Sequence, residues 1–403
     1  MTVSEPVRAA IERSQSSAQS AAPANGLPHN THIHLPPNFS AFDTVAEAVE
    51  AASREGIRLL GVSNYYHYGV YADFANRAMA AGIFPLFGTE IICPLDDLVR
   101  AGVRINDPAN PGKMYICGKA VTAFDPLSEN AAALLQTIRD KDSARMADMI
   151  GRMGEVFRLA GFESDLDETQ VKDMVVRRHG CPRESVYLQE RHIAQAFQER
   201  MAERLDDEEQ TALLTRAYGG PPKASPAEAV ATQNEIRSRL MKAGKPGYVP
   251  ETFVDFDHAR RLIASLGGIA CYPVLADGAD PVCEFEDTPE NLIERIRARS
   301  IACAEFIPER NSPEQLERYA SALRAAGILI TAGTEHNTRD RIPITPRCKG
   351  GAPVPQSVQR LFWEGACVLV GHMADVCAGG SGFDPGNVER LRDLGSRIVE
   401  GYA

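Results

Sequence analysis

The chain has 403 residues, of which 44% are hydrophobic and 24% charged, so it is a globular protein that can bury a full core and divide into two or three parts. Its net charge of -11 argues against a nucleic acid polymer as a partner, although a local basic pocket could hold a small anion. The sequence shows no apolar run of membrane-spanning length and no secretion signal, so we expect a cytoplasmic protein with no membrane partner.

Residues 1–27 are rich in Ser, Ala and Gln and contain few large apolar side chains, which predicts a disordered tail. From Thr44, helix and strand patterns alternate. The helix pattern TVAEAVEAASREG is followed by the strand IRLLGVSN, the helix YADFANRAMAAG and the strand IFPLFGTEII. Later strand patterns are GGIACYPV, IACAEFIP and GILITAGTEH, which are separated by helix patterns at DTPENLIERIRARS and SPEQLERYASALRAAG. This alternation predicts a parallel α/β fold, either a barrel or an open sheet.

The middle of the chain interrupts this alternation. Residues 128–245 are almost wholly helical in pattern and highly charged, which predicts an inserted helical subdomain. The α/β pattern therefore falls in two parts, residues 28–127 and residues 246–380. Residues 381–403 contain a glycine-rich turn and a last amphipathic helix from Asn387.

Imidazole and carboxylate side chains follow three of the predicted strands. His32 and His34 are two residues apart in THIH, so on an extended strand both rings face the same side. Glu90 ends PLFGTE, and Glu335 and His336 end ILITAGTEH. The carboxyl ends of parallel strands meet at one edge of the fold. Each feature alone is also compatible with a loop or a helix cap, but their coincidence predicts a metal site for Zn, Mn or Fe.

The nine cysteines are scattered, odd in number and never arranged as CxxC. This pattern favours reduced thiols that pack in the core over disulfides or a zinc knuckle. The predicted metal site needs no thiolate, because imidazoles and carboxylates alone suit these ions.

The order of THIH, GVSNYY, FGTEI, KMYICG, GGIACYP, the AEF strand and AGTEH resembles the PHP (polymerase and histidinol phosphatase) superfamily of metal-dependent phosphoesterases. The likeness covers residues 28–122 and 246–338. In the insertion, RHIAQAF from Arg191 and GKPGYVPETF from Gly244 resemble segments of one branch, a nucleotide-type phosphatase. The resemblance implies a distorted seven-stranded (β/α) barrel of PHP type with an inserted helical subdomain.

The resemblance also implies up to three metals, held by HxH, an Asp-His pair, a Glu, two further histidines and a closing Asp-x-His. His32, His34, Glu90 and His336 match this pattern, and Glu335 stands in place of the closing Asp. Other positions depart from it. Phenols replace three imidazoles, and two acidic positions are also lost; the residues present are Tyr65, Tyr115, Tyr272, Asn64 and Phe39.

A phenol with a pKa near 10 binds a metal poorly at pH 7, so we expect the second and third metals to be weak or absent. His32, His34, Glu90 and Glu335 could still hold one divalent metal with a position left open for water or substrate. One metal still permits hydrolysis. The candidates for catalytic proton transfer and hydrogen bonding are Tyr65, Tyr115, Tyr272 and His336. Alternatively, the phenols only fill the space that the lost ligands would occupy. His67 could also take the place of one lost ligand.

The loop NTRDRIPITPRCKGG follows the closing Glu-His and contains Arg339, Arg341, Arg347 and Lys349. Arginine forks match phosphate and carboxylate oxygens, so these side chains are candidates to bind a small anionic substrate. Arg310 and Arg191 could add to this set, and His192 lies near the substrate in the resembling branch. The alternative is that the arginines neutralise nearby acids and hold the loop.

Three functions remain open from the sequence. The first is a metal-dependent hydrolase, a phosphoesterase that acts on a small phosphorylated metabolite. The second is a mononuclear lyase or isomerase that acts on a sugar or sugar acid, and the third is a protein of this superfamily that binds a metal or ligand without turnover. An oligomer is compatible with all three.

Overall fold

A computed structural model describes residues 26–339 and 341–402, together with Arg8 and Glu12. The disordered tail predicted for residues 1–27 therefore lies almost wholly outside the described residues. Contacts divide the described chain into two units. The first contains the residues up to Leu35, Thr44–Leu135 and those from Val254 onward, and the second contains Pro36–Asp43 and Gln136–Phe253.

The first unit is built on a seven-stranded sheet in which each strand pairs with the next one along the chain. The strands are β1 (His29–Ile33), β2 (Leu59–Val62), β3 (Phe84–Pro94), β4 (Lys113–Lys119), β5 (Ile269–Val274), β6 (Cys303–Phe306) and β7 (Leu329–Ala332). Neighbouring strands are parallel except for β4, which runs antiparallel to both β3 and β5.

The two edges of the sheet meet, since backbone hydrogen bonds join the residues after β7 to β1. The amide N–H groups of Thr334 and Glu335 donate to His32 O at 3.1 and 2.9 Å, and His34 N–H donates to Glu335 O at 2.7 Å. The sheet is therefore a nearly closed barrel, which confirms the seven-stranded α/β barrel and excludes an open sheet. This closure brings the His-x-His segment and the Glu335 segment into direct contact.

Helices connect the strands and form the second unit. In chain order they are α1 (Val45–Arg54), α2 (Tyr71–Ala80), α3 (Asp96–Ala101), α4 (Glu129–Leu159), α5 (Glu168–His179), α6 (Glu190–Arg204), α7 (Asp207–Tyr218), α8 (Ala229–Ile236), α9 (Phe256–Ser265), α10 (Pro289–Arg297), α11 (Pro313–Ala325), α12 (Gln356–Cys377) and α13 (Val388–Tyr402). Of the helices in the described part of the chain, none is long and apolar enough to cross a membrane.

The predicted helix starts follow from local hydrogen bonding. The Thr44 hydroxyl accepts the Glu47 N–H at 3.1 Å and begins α1, and Ser312 caps α11 through the Gln315 N–H. In α1 the apolar face of Val45, Ala48, Val49 and Ala52 is buried, as the helical spacing of these residues requires.

The second unit is helical, and its part Gln136–Phe253 overlaps residues 128–245, for which the sequence predicts a helical insertion. Its core consists of apolar side chains from α4 to α8 and includes the stacked rings of Phe157 and Phe197, whose centroids are 5.1 Å apart. The short segment Pro36–Asp43 also belongs to this unit, although it directly follows the His-x-His strand.

Candidate metal centre

His32 and His34 form one wall of a buried cluster at the end of β1. Their rings point to the same side, with centroids 5.1 Å apart, and both residues are at most 1% exposed. Gly333 makes this arrangement possible, because a Cβ atom at that position would lie 2.3 Å from the Cβ of His32. The two histidines, which are two residues apart, therefore lie on the same face, as the sequence predicts.

Glu90 on β3 faces both imidazoles. Its Oε2 atom lies 3.4 Å from His32 Nε2 and 3.3 Å from His34 Nε2, and its Oε1 atom accepts the Tyr65 hydroxyl at 2.5 Å. Burial alone would raise the pKa of Glu90, but the adjoining imidazoles outweigh it and hold that pKa well below its ordinary value. Gly88 permits the close approach of β3, since a Cβ there would lie 2.6 Å from Ser63 Oγ.

Glu305 on β6 fixes the orientation of His32. Its Oε2 atom lies 2.6 Å from His32 Nδ1, and a charged carboxylate can only accept, so Nδ1 carries a proton. The other nitrogen, Nε2, is buried and has no hydrogen-bond partner among the described residues. Glu305 thus aims Nε2 toward Glu90, as carboxylates do for metal-binding histidines.

A buried lysine holds Glu305 in its charged form. Lys119 Nζ lies 2.6 Å from Glu305 Oε1, and both side chains are at most 2% exposed. Burial alone would raise the pKa of Glu305, but Lys119 and His32 lower it to about 2. Burial and Lys119 lower the pKa of His32, yet Glu305 outweighs them and raises it well above its ordinary value.

Cys117 on β4 completes the cluster, and sequence reasoning missed it. The ligand atoms of His32, Glu90 and Cys117 all lie within 4.8 Å of one another, and all three residues are buried. Burial raises the pKa of the Cys117 thiol to about 11. No spacing motif marks this residue, because only the pairing of β3 with β4 brings it opposite Glu90.

Glu335, a predicted ligand, pairs with an arginine in this structure. Arg310 Nη1 donates to Glu335 Oε1 at 2.9 Å, and Arg310 Nη2 donates to Oε2, which also accepts Asn337 Nδ2 at 2.6 Å. Glu335 and His336 both have left-handed backbone, with φ values of 57° and 49°. Such strain costs about 1–3 kcal/mol per residue and is concentrated at functional sites.

The remaining candidates for catalysis have different surroundings. His336 lies 2.7 Å from Thr334 Oγ1 through Nδ1 and 3.1 Å from Ile342 O through Nε2. Tyr65 stacks on His34, with ring centroids 5.3 Å apart. Tyr115 is half-buried, and the Lys113 ammonium lies 5.3 Å from its ring centroid. Tyr272 is fully buried and stacks on Phe285, and its hydroxyl lies 3.3 Å from Glu286 Oε2.

The predicted substrate-binding arginines are distributed among different partners. Arg341 is 71% exposed and pairs with Glu47, and Arg347 is exposed, whereas Arg339 is partly buried. In the second unit, Arg191 donates to Asn234 Oδ1 at 3.2 Å, and the buried His192 accepts the Gln189 N–H at 3.1 Å. Arg191 and His192 both contact Phe39 there, with the Arg191 guanidinium 5.7 Å from its ring centroid and the His192 ring centroid 5.5 Å from it.

Glu286 beside Tyr272 is a fully buried carboxyl group. Its Oε1 atom accepts the N–H groups of Leu275 and Ala276 at 3.0 and 3.1 Å. Burial nevertheless dominates and raises its pKa to about 8. At pH values between about 5 and 8, Glu286 is therefore protonated in the folded protein, whereas in the unfolded chain it has lost this proton.

This proton predicts a pH dependence of stability. Between pH values of about 5 and 8 the unfolded state binds fewer protons than the folded state at Glu286, so this group lowers stability as the pH rises, by up to about 1.4 kcal/mol per pH unit. We expect Glu286→Gln to remove this contribution, so that its free energy of unfolding falls less steeply than that of the wild type. Urea denaturation across this pH range measures both slopes. The exposed Glu290→Gln should keep the wild-type slope, and equal slopes for Glu286→Gln and wild type would contradict the assignment.

No protein-family model matches the sequence, and no curated protein matches it. Solved structures do match. One is a proposed metal-dependent phosphoesterase from Bifidobacterium adolescentis, with 17% identity over 84% of this chain and 96% of that chain, and a TM-score of 0.54. Another is an amidohydrolase from Chromobacterium violaceum with bound sulfate and no metal, with 18% identity over 83% of this chain and 96% of that chain, and a TM-score of 0.51. These likenesses confirm the fold and agree, at that level, with the resemblance to the PHP superfamily.

Proposed function

We propose that this chain is a metal-dependent hydrolase, a phosphoesterase that acts on a small phosphorylated metabolite with one divalent metal per chain. The observation that carries the proposal is the contact of two imidazole nitrogens, His32 Nε2 and His34 Nε2, with one buried oxygen of Glu90. The likeness in fold to a proposed metal-dependent phosphoesterase supports the same reaction class.

The two contacts of Glu90 support a single metal. Nitrogen and oxygen ligands of a tetrahedral zinc ion lie roughly 3.2 to 3.6 Å apart. The two contacts to Glu90 Oε2, at 3.4 and 3.3 Å, already have this separation. We assign His32, His34 and Glu90 to hold the metal, which when bound supplies a hydroxide nucleophile near neutral pH and polarises a phosphate oxygen. Glu335 stays a candidate ligand, but it would first have to release Arg310.

Two phenols are suited to donate hydrogen bonds at this centre. Burial, followed by the charges of Glu90 and Tyr115, raises the pKa of Tyr65 well above its ordinary value. Tyr65 therefore keeps its proton at neutral pH and donates a hydrogen bond to Glu90 in this structure, so it would have to release Glu90 to donate to a phosphate or leaving-group oxygen. We give Tyr115 the second donor role. The bond of Tyr272 to Glu286 favours the packing alternative for that phenol, and the bonds of His336 favour a role in holding its loop.

Arg310 is the arginine best suited to bind the anion. Its guanidinium is partly buried and interacts electrostatically with Glu90 and Tyr115 as well as Glu335. A second metal would stabilise the additional negative charge of a phosphoryl transition state, and a single-metal enzyme needs another cation for that purpose. We assign this task to Arg310, whose guanidinium has five N–H donors and uses two of them on Glu335, so that others can bind a phosphate oxygen.

Metal analysis and phosphate release test the proposal together. Purified protein is expected to contain about one metal per chain and to release phosphate from members of a panel of nucleotides and sugar phosphates. His34→Ala should lose metal and phosphate release together, because it removes one of three donors. His29→Ala, on the same strand, is the matched control, since the Nδ1 atom of His29 contacts the Leu27 carbonyl instead.

Two results would contradict the proposal and favour the other functions. Bound metal without phosphate release, together with changes in carbon–carbon or carbon–oxygen bonds of unphosphorylated sugars, would favour a lyase or isomerase. Protein that binds no metal after incubation with zinc or manganese would favour a binding protein without turnover.

A further inference from the structure

We infer that Cys117 is a ligand of this metal and that its sulfur makes the centre selective for zinc over manganese. The inference rests on the proposed function, because it concerns the same ion. It changes the ligand set expected from the sequence, in which carboxylates and imidazoles were sufficient.

Strand register places the thiol opposite a proposed ligand. Glu90 on β3 and Cys117 on β4 are direct partners in the antiparallel pair. Side chains of such partners project on the same face of the sheet, with Cβ atoms about 4.5–5.5 Å apart. The thiol of Cys117, the carboxylate of Glu90 and a ring nitrogen of His32 accordingly lie within 4.8 Å of one another.

An independent observation indicates that this cluster accommodates a ligand. His32 is 1% exposed, and Nε2 makes no hydrogen bond in the described part of the chain, although Glu90 Oε2 lies 3.4 Å from it. Nδ1 is bound to Glu305 at 2.6 Å, so the ring cannot turn to satisfy Nε2 without losing that bond. A buried polar atom held in this way costs about 1–3 kcal/mol, which a metal bond would offset.

Cys117 takes the position in the ligand set that the sequence assigned to Glu335. The Glu335 carboxylate is bound by Arg310 and Asn337, whereas Cys117 lies directly opposite Glu90. When the metal binds, the S–H bond breaks, the proton passes to solvent and a metal–sulfur bond forms. The thiolate would hold the ion together with His32, His34 and Glu90, and the bound ion would still have to accept water or substrate.

Sulfur in the ligand set determines which ion is preferred. Thiolate and imidazole donors suit zinc, whereas manganese prefers carboxylate, carbonyl and water oxygens. A centre of two imidazoles, one carboxylate and one thiolate should therefore prefer zinc to manganese. We expect this preference to be larger than that of a centre without sulfur.

Cobalt substitution tests the thiolate directly. Full-length protein loaded with Co²⁺ should show a sulfur-to-cobalt charge-transfer absorption in the near ultraviolet, and Cys117→Ser should lose it while still binding cobalt. Cys93→Ser is the matched control, because Cys93 is a buried cysteine on β3 that is not part of the cluster. Circular dichroism establishes that both variants are folded.

Competition between zinc and manganese tests the selectivity. Cys117→Ser is expected to lower zinc affinity at least about tenfold and to leave manganese affinity nearly unchanged. Bound cobalt without the charge-transfer band in the wild type would overturn the thiolate ligand and leave the proposed hydrolase standing. Absence of cobalt, zinc and manganese binding would overturn both proposals.

Discussion

Glu305→Ala is expected to lower the free energy of unfolding by about 3 to 5 kcal/mol, because it leaves the Lys119 ammonium buried without its counter-charge. Lys119 Nζ lies 2.6 Å from Glu305 Oε1 in surroundings where neither side chain is more than 2% exposed. The other contacts of Nζ, to Thr31 O at 3.3 Å and Ser63 Oγ at 3.4 Å, are neutral and do not replace a carboxylate. Denaturation by guanidinium chloride measures the loss.

A paired substitution separates the charge from the packing. Lys119→Met combined with Glu305→Leu replaces both ions with apolar side chains, and such replacements of buried ion pairs are often neutral or stabilising. The double variant should therefore recover most of the stability that Glu305→Ala loses. If the double variant were as unstable as Glu305→Ala, the loss of stability would come from packing and not from an unpaired buried charge.

The same double variant tests the hydrogen bond between Glu305 and His32 in a protein of recovered stability. It removes the acceptor at 2.6 Å from His32 Nδ1, so Nε2 is no longer aimed at Glu90. Loss of such an outer-shell partner typically costs 10- to 100-fold in metal affinity. We expect zinc affinity to fall by about this factor even where stability has recovered, which a purely structural role for Glu305 would not produce.

The parts of this protein that the sequence could predict depend on local patterns. Thr44 and Ser312 begin helices because their side chains bind backbone groups three residues on. His32 and His34 share one face because a strand has a period of two. The order of strand and helix patterns likewise indicated an α/β fold, either a barrel or an open sheet, because each pattern lies in a short stretch of residues.

The outer parts of the centre depend on contacts that no short pattern encodes. His32 and Glu305 are 273 residues apart in the chain, yet they share a hydrogen bond. Cys117 looks like one of nine scattered thiols until the register of β4 against β3 sets it opposite Glu90. The register of the strands is fixed by the packing of the whole barrel. Glu305 and Cys117 could therefore not be found from the spacing of residues in the sequence.

Glu335 illustrates another limit of sequence reasoning. The strand pattern correctly predicted that it follows β7, but the left-handed backbone at Glu335 and His336 is rare for residues with a Cβ atom and leaves no signal in composition. Its pairing with Arg310 follows from that local conformation and from β6, which ends shortly before Arg310. Whether Glu335 serves as a ligand therefore stays a prediction, whereas its ion pair is a feature of the structure.

Arg310→Ala is expected to lower kcat/KM for the phosphorylated substrate by roughly 100- to 1000-fold, the loss typical when one preorganised donor to a developing oxyanion is removed. The reason is that Arg310 supplies positive charge beside Glu90 and Glu335 in a centre with a single metal. Steady-state kinetics with the best substrate from the phosphate-release panel measures the change. If the arginine acts mainly on the transition state, the decrease should appear in kcat more than in KM.

Two companion variants decide whether this loss reflects anion binding at Arg310. Arg341→Ala removes another arginine that the sequence nominated, but Arg341 is 71% exposed and pairs with Glu47, so we expect kcat/KM to change little. Arg310→Lys keeps the positive charge but loses the planar fork, and should recover only part of the activity. Equal losses in Arg310→Ala and Arg341→Ala would show that Arg341 contributes to anion binding as much as Arg310 does, and full activity in Arg310→Ala would remove Arg310 from the reaction altogether.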